Sequence, residues 1–149
     1  MIMATISAAP YANTPHREVK KIIKLANIKL GQTLLDLGSG DGRLVFAAAK
    51  AGANAIGVEM QTHLVWRSNY KKNKHKINNV TFIKSNLWDY NLKDVDILTL
   101  FFIPHRMEKL KNKIKKEMKP NSIIISYDFK FKDWPEQTKD GKINIYKNI

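Results

Sequence analysis

The chain of 149 residues has no cysteine. Disulfides, zinc–thiolate centres and a thiol nucleophile are therefore excluded, and a reducing, cytoplasmic location is the expectation. No run approaches the roughly 20 apolar residues needed to cross a bilayer. The opening "MIMATISAAP" has neither a basic start nor a long apolar centre, so no signal peptide is expected. His16, His63, His75 and His105 lack paired ligand spacing, and no metal site is expected. Acid is scarce, with 13 acidic against 26 basic residues and a net charge of +13. Arginine is scarce as well: only Arg17, Arg43, Arg67 and Arg106 are present, so 22 of the basic residues are lysine. A phosphate-reading surface favours arginine forks, and these lysines are spread over "VKKIIK", "RSNYKKNKHK" and "RMEKLKNKIKKEMK". They read mainly as a solvated surface, with nucleic-acid binding the lesser expectation. No repeat, low-complexity tract or linker interrupts the chain, and one domain over 1–149 is expected.

What is present is an alternation of short apolar runs with amphipathic ones. In "TPHREVKKIIKLA", Thr14 reads as the N-cap, Pro15 as the first helical residue and Glu18 as an acid in the first turn. Val19, Ile22, Ile23 and Ala26 then recur at helical spacing. Strands are expected at 33–38, 53–59, 80–86, 95–102 and 122–129, with helices at 42–52, 61–75 and from Pro104 to Met118. Apolar strands separated by helices make a parallel sheet covered on both faces, a Rossmann-like doubly wound α/β fold. A turn at Asp140-Gly141 and a late strand, "KINIYKN", predict an antiparallel C-terminal edge hairpin.

The chemistry concentrates in "LLDLGSGDGR", where Gly38, Gly40 and Gly42 follow the first strand and Asp36 and Asp41 flank them. In an open α/β sheet this first strand-to-helix turn is part of the ligand site, and glycine lets a ligand approach the backbone. A P-loop needs Lys and Ser/Thr after the last glycine, and neither follows Gly42. A dinucleotide fingerprint needs a third small residue where Arg43 stands. The two acids suit a cationic ligand with an α-amino group and a sulfonium centre better than a pyrophosphate. Glu59 ends the second strand, where an acid accepts hydrogen bonds from ribose hydroxyls, so Glu59→Ala is expected to weaken ligand affinity with the fold nearly unchanged. Ser85 and Asn86 end the third strand, where an adenine amino group can be read.

"LLDLGSGDGR", "IGVE" and "SNLW" together resemble the cofactor motifs of class I S-adenosylmethionine-dependent methyltransferases. The resemblance implies S-adenosyl-L-methionine as cofactor and S-adenosyl-L-homocysteine as product, with Tyr11, Thr14, Asp36, Gly38, Ser39, Gly40, Asp41, Glu59, Met60, Asn86 and Leu87 as cofactor-binding residues. Enzymes of this superfamily that methylate base amines carry Asn/Asp-Pro-Pro-Tyr/Phe after the fourth strand, and "FFIPHR" stands there. "APYANTP" and "SYDFKFKDWPE" resemble the N-terminal arm and post-fifth-strand segment of a small protein-lysine methyltransferase family. That family includes broad-specificity archaeal enzymes and mitochondrial enzymes acting on the ATP synthase c subunit and the adenine nucleotide translocase. It implies a protein substrate presenting lysine, an arm (1–15) closing on the cofactor, and Asp128 and Tyr127 as catalytic residues, with Ser126 lining the acceptor site and Trp134 covering the substrate. Methylation of RNA and a noncatalytic cofactor-binding module remain the alternatives.

Overall fold

The computed structural model describes residues 14–101 and 104–149. Helix α1 spans His16–Ala26 and buries Val19, Ile22 and Ala26. Its N-cap is Pro15, at φ −57°, and no side chain caps it. Thr14 is thus not the cap, and Pro15 lies one position outside the helix; the first bond is made by the Pro15 carbonyl, which accepts from the Val19 amide at 2.9 Å.

The parallel part of the sheet is built from β1 (Thr33–Leu37), β2 (Asn54–Glu59), β3 (Val80–Lys84), β4 (Ile97–Leu100) and β5 (Ile123–Tyr127). Helix α2 (Arg43–Lys50) joins β1 to β2, α3 (Thr62–Lys74) joins β2 to β3, and α4 (Met107–Glu117) joins β4 to β5. Between β3 and β4 there is only a 3₁₀ turn at Leu87–Asp89. The helix expected from Pro104 begins as a separate 3₁₀ turn, Pro104–Arg106, and is α-helical from Met107. The strands are one to four residues shorter than expected at their ends.

Two strands complete the sheet, β6 (Thr138–Asp140) and β7 (Ile143–Lys147), giving the order β3-β2-β1-β4-β5-β7-β6. The late strand is therefore not the edge: β7 pairs antiparallel with both β5 and β6. Its burial explains its position, since Ile143 and Tyr146 are fully covered whereas β6, "TKD", has little to bury and takes the rim.

Alternation along each strand divides the core. Leu34, Ala55, Phe82 and Ile125 meet α1 and α2, while Leu35, Val58, Leu98 and Ile124 meet α4. The strand order reverses at β1, flanked by β2 and β4. The crevice beyond its carboxyl end is the place such a sheet offers a ligand.

Candidate functional site

At that crevice the glycine turn closes on itself and on β2. Gly38, Gly40 and Gly42 have φ of +77°, +58° and +85°, the left-handed region that costs a side-chain-bearing residue energy. The Val58 carbonyl accepts from the amides of Gly38 and Ser39 at 2.8 and 3.1 Å, and the Ser39 carbonyl accepts from Gly42 at 2.9 Å. Gly57, opposite Asp36 in the register, makes the fit possible: a Cβ there would lie 2.6 Å from Ser39 Oγ and 2.7 Å from Ser39 Cβ.

A recess opens above the turn, lined by Thr14, Asp36, Gly38, Ser39, Gly40 and Asp41, with Arg43 and Phe101 at its sides. The structure thus brings together the expected residues of the first cofactor motif and the arm's Thr14. Tyr11 lies outside the described residues. Glu59 stands behind the turn, buried, with Oε1 accepting from the Gly40 amide and Oε2 from the Gln61 amide, both at 2.9 Å. This corrects the expectation that Glu59→Ala would spare the fold, because the carboxylate satisfies two backbone donors. Met60 follows, half-buried. Asn86 accepts from the Trp88 amide at 3.0 Å and caps the 3₁₀ turn. Leu87 is buried in the core layer that also holds Val58.

The charges are arranged differently from the expectation. Asp41 is held by a fork from Arg43, with Nη2 at 2.7 Å and Nε at 3.1 Å. Arg43 Nη1 also donates to the Thr14 carbonyl at 3.1 Å. Burial alone would raise the Asp41 carboxyl, but hydrogen bonds and charge from Arg43, with Lys71 nearby, hold it below its usual range. Asp41 is therefore paired with a cation of the protein's own while it lines the recess. The Arg43 side chain, where a dinucleotide site has a small residue, is committed to this fork.

Asp36 differs from Asp41 in that no cation of the protein contributes to its shift. It is buried and accepts one hydrogen bond, from Thr99 Oγ1 at 2.7 Å. Burial pushes its carboxyl up to about 7; the Thr99 bond opposes this, while the charges of Glu59 and Asp41 add to it. The linkage follows from the raised value. A proton is bound in the folded chain but not the unfolded one between about pH 4 and 7, so the stabilisation is complete below the unfolded value and is lost as pH rises through 7. Going from pH 8 to 5 should stabilise the ligand-free protein by about 2–3 kcal/mol. Melting curves of the wild type and Asp36→Asn check this; the variant should lose the rise between pH 8 and 5, and equal pH profiles would contradict it. A cationic ligand favours the carboxylate, so its affinity should fall by up to about tenfold per pH unit below 7.

On the far side of β1, Phe101 meets the Tyr127 ring edge-on at 5.2 Å and Phe129 at 5.8 Å. Tyr127 is buried against the α1 side of the core. Asp128 is exposed, at φ +77°, with its amide donating to the Lys142 carbonyl at 2.7 Å. Two of the expected acceptor residues are placed elsewhere. Ser126 is fully buried and its hydroxyl donates to the Phe129 carbonyl at 2.5 Å, closing the turn after β5. Trp134 packs with Phe131 and Tyr146 beneath Lys115, whose amine lies 4.0 Å from its ring centre, and so belongs to the opposite core layer.

In sheet order the carboxyl ends present Asn86, Glu59, the glycine turn, Phe101 and Asp128, a row across four strand spacings, about 19 Å. Ser39 Oγ is buried at its centre, packed against Gly57 without a hydrogen-bond partner. A glycine-lined recess with the carboxyls of Asp36 and Asp41 on its wall fits S-adenosyl-L-methionine. Among the described residues no His/Cys/Asp/Glu cluster could hold a metal, and no helix is long and apolar enough to cross a membrane. The residues missed by sequence reasoning are Gly57, Thr99, Arg43 and Phe101.

Comparison with known proteins agrees with this geometry. Residues 36–138 match the ANTKMT methyltransferase domain family. A protein-lysine N-methyltransferase of Saccharolobus islandicus (strain REY15A) is 28% identical over 149 residues, 95% of this chain and 92% of that protein. The Rattus norvegicus lysine N-methyltransferase of the ATP synthase c subunit is 34% identical, over 87% of this chain but only 60% of its own length. Among solved structures, an RNA methyltransferase from Salinibacter ruber in complex with S-adenosyl-L-homocysteine superposes with a TM-score of 0.83 at 27% identity, covering 91% of each chain.

Proposed function

The chain belongs to the ANTKMT methyltransferase domain family, and from that premise we propose that it is an S-adenosylmethionine-dependent protein-lysine N-methyltransferase. The observation that carries the reading is the row of carboxyl ends, which sets an acidic, glycine-lined recess at the end of β1 beside aromatic rings at the ends of β4 and β5. S-adenosyl-L-methionine supplies an electrophilic methyl group and departs as S-adenosyl-L-homocysteine.

The chain's own residues supply placement. Glu59 accepts from the ribose hydroxyls on lone pairs left by the Gly40 and Gln61 amides. Asn86 accepts from the adenine amino group, and Asp36 holds the α-ammonium group. Phe101 and Phe129, half-buried and backed by the buried Tyr127 ring, offer an apolar surface along which a lysine stem can lie, while the exposed Asp128 carboxylate meets its ammonium head. The ammonium must lose a proton to become a nucleophile, and Asp128 passes that proton to water. Fixing the amine in line with the bond to be broken supplies much of the rate.

The lysine acceptor rests on the two flanking segments and on the names of the Saccharolobus and Rattus relatives. The Salinibacter neighbour, an RNA methyltransferase, and the +13 charge favour RNA as a second reading. Incubation with methyl-labelled cofactor and a mixture of cell protein and RNA decides between them. Label should enter protein; label confined to RNA would move the assignment to the second reading.

A further inference from the structure

Helix α3 carries a surface that the methyl-transfer site does not use. At 100° per residue, His63, Trp66, Arg67, Tyr70, Lys71 and Lys74 fall within one arc of about 140°, and all are exposed. Trp66 is 67% and Tyr70 58% exposed, unusual for rings of this size. The two rings stack on each other, with centres 5.9 Å apart and planes at 17°. No acid occurs anywhere in the helix. Beside them Arg67, Tyr70, Lys71 and Asp41 line a recess. The Asp41 charge there is answered by Arg43 at 2.7 Å, and Lys71 lies over the Phe46 ring, 4.9 Å from its centre. The recess therefore presents aromatic faces and net positive charge.

We propose that this face of α3 binds a single-stranded polynucleotide, with bases stacking on Trp66 and Tyr70 and phosphates paired by Arg67, Lys71 and Lys74. Stacked rings flanked by cations are what a flexible strand of bases and phosphates matches, without regard to sequence. An anionic lipid surface fits less well. Insertion needs a continuous apolar stripe, whereas polar Asn69 and Asn73 adjoin the rings and no aliphatic side chain is exposed with them. The scattered lysines elsewhere lack such a partner pattern, and Arg67 is one of only four arginines in the chain. Because Asp41 belongs to the glycine turn, a bound strand would pass beside the cofactor recess. The surface does not depend on the lysine reading, and its failure would leave methyl transfer untouched.

Fluorescence anisotropy with short unstructured oligomers of RNA and of DNA tests the proposal. Trp66→Ala/Tyr70→Ala should bind at least tenfold more weakly, with unchanged melting temperature and S-adenosyl-L-homocysteine affinity. Trp66→Phe/Tyr70→Phe, which keeps two rings, should recover most of the loss. Arg67→Gln/Lys71→Gln/Lys74→Gln should make the slope of log affinity against log salt shallower by about 2, three contacts at roughly 0.7 each. Loss on either the RNA or the DNA arm supports the site and names the accepted sugar. Equal affinity of the double-alanine variant and the wild type would overturn it. So would an unchanged salt slope in the triple variant, or binding to phosphatidylglycerol vesicles with none to oligomers.

Discussion

Glu59→Ala should lower affinity for S-adenosyl-L-homocysteine by about a hundredfold or more and reduce the stability of the ligand-free protein as well. The affinity loss reflects two hydrogen bonds between ribose hydroxyls and an ionised acceptor, each worth about 1.5–3 kcal/mol. The stability loss comes from the Gly40 and Gln61 amides, which the substitution leaves without the carboxylate that now accepts from each at 2.9 Å. An orphaned buried donor costs about 1–3 kcal/mol. Glu59→Gln separates the two effects: one amide oxygen remains to accept, and an NH₂ group faces one of the backbone donors. It should fall between wild type and alanine in both measurements. Calorimetric titration reads the first effect and denaturant unfolding without ligand reads the second. A stability loss with unchanged affinity would show that Glu59 holds the turn but does not meet the ligand.

Gly57→Ala should be among the most damaging single-methyl additions in the protein. Gly57 is in β2, between Asp36 of β1 and Phe82 of β3, and its backbone conformation lies outside the left-handed region. The damage is one of space. A methyl there would lie 2.7 Å from Ser39 Cβ and 2.9 Å from Phe82 Cδ1. Rotating the Ser39 hydroxyl away does not help, because its Cβ is fixed to the glycine turn. The turn or β2 must move. Overpacking of this kind costs about 1–3 kcal/mol, or roughly 3–10 °C in melting temperature for a domain of this size. Cofactor affinity should fall with it, since the displaced backbone carries the recess. A melting temperature and affinity equal to wild type would mean that the turn has more freedom than its hydrogen bonds to Val58 allow.

The parallel strands and the glycine turn were legible in the sequence because they depend on local signals: apolar runs of strand length, and glycines where the backbone takes positive φ. The position of Glu59 at the carboxyl end of β2 was legible for the same reason. Its hold on the turn was not, since a carboxylate's bond to an amide 19 positions earlier depends on how β2 and the turn meet. Thr99 left a faint trace as a polar residue in the buried strand "ILTL", but only the register placing it opposite Asp36 gives it a purpose. Gly57 stood in plain view inside "IGVE", where a glycine within a strand marks close approach. Arg43 signalled only what the turn was not. The segment after β5 was the least legible. Trp134 and Ser126 looked like acceptor residues by resemblance, but one packs under Lys115 and the other closes a turn, and both outcomes depend on the antiparallel β7 entering beside β5.

The most direct measurement is amino-acid analysis of protein methylated by the purified enzyme with labelled S-adenosyl-L-methionine near pH 8, where the Asp36 carboxyl is ionised. The label should be recovered as Nε-methylated lysine, and Glu59→Ala should abolish its appearance. No label in the protein, or label recovered in a methylated amino acid other than lysine, would contradict the account.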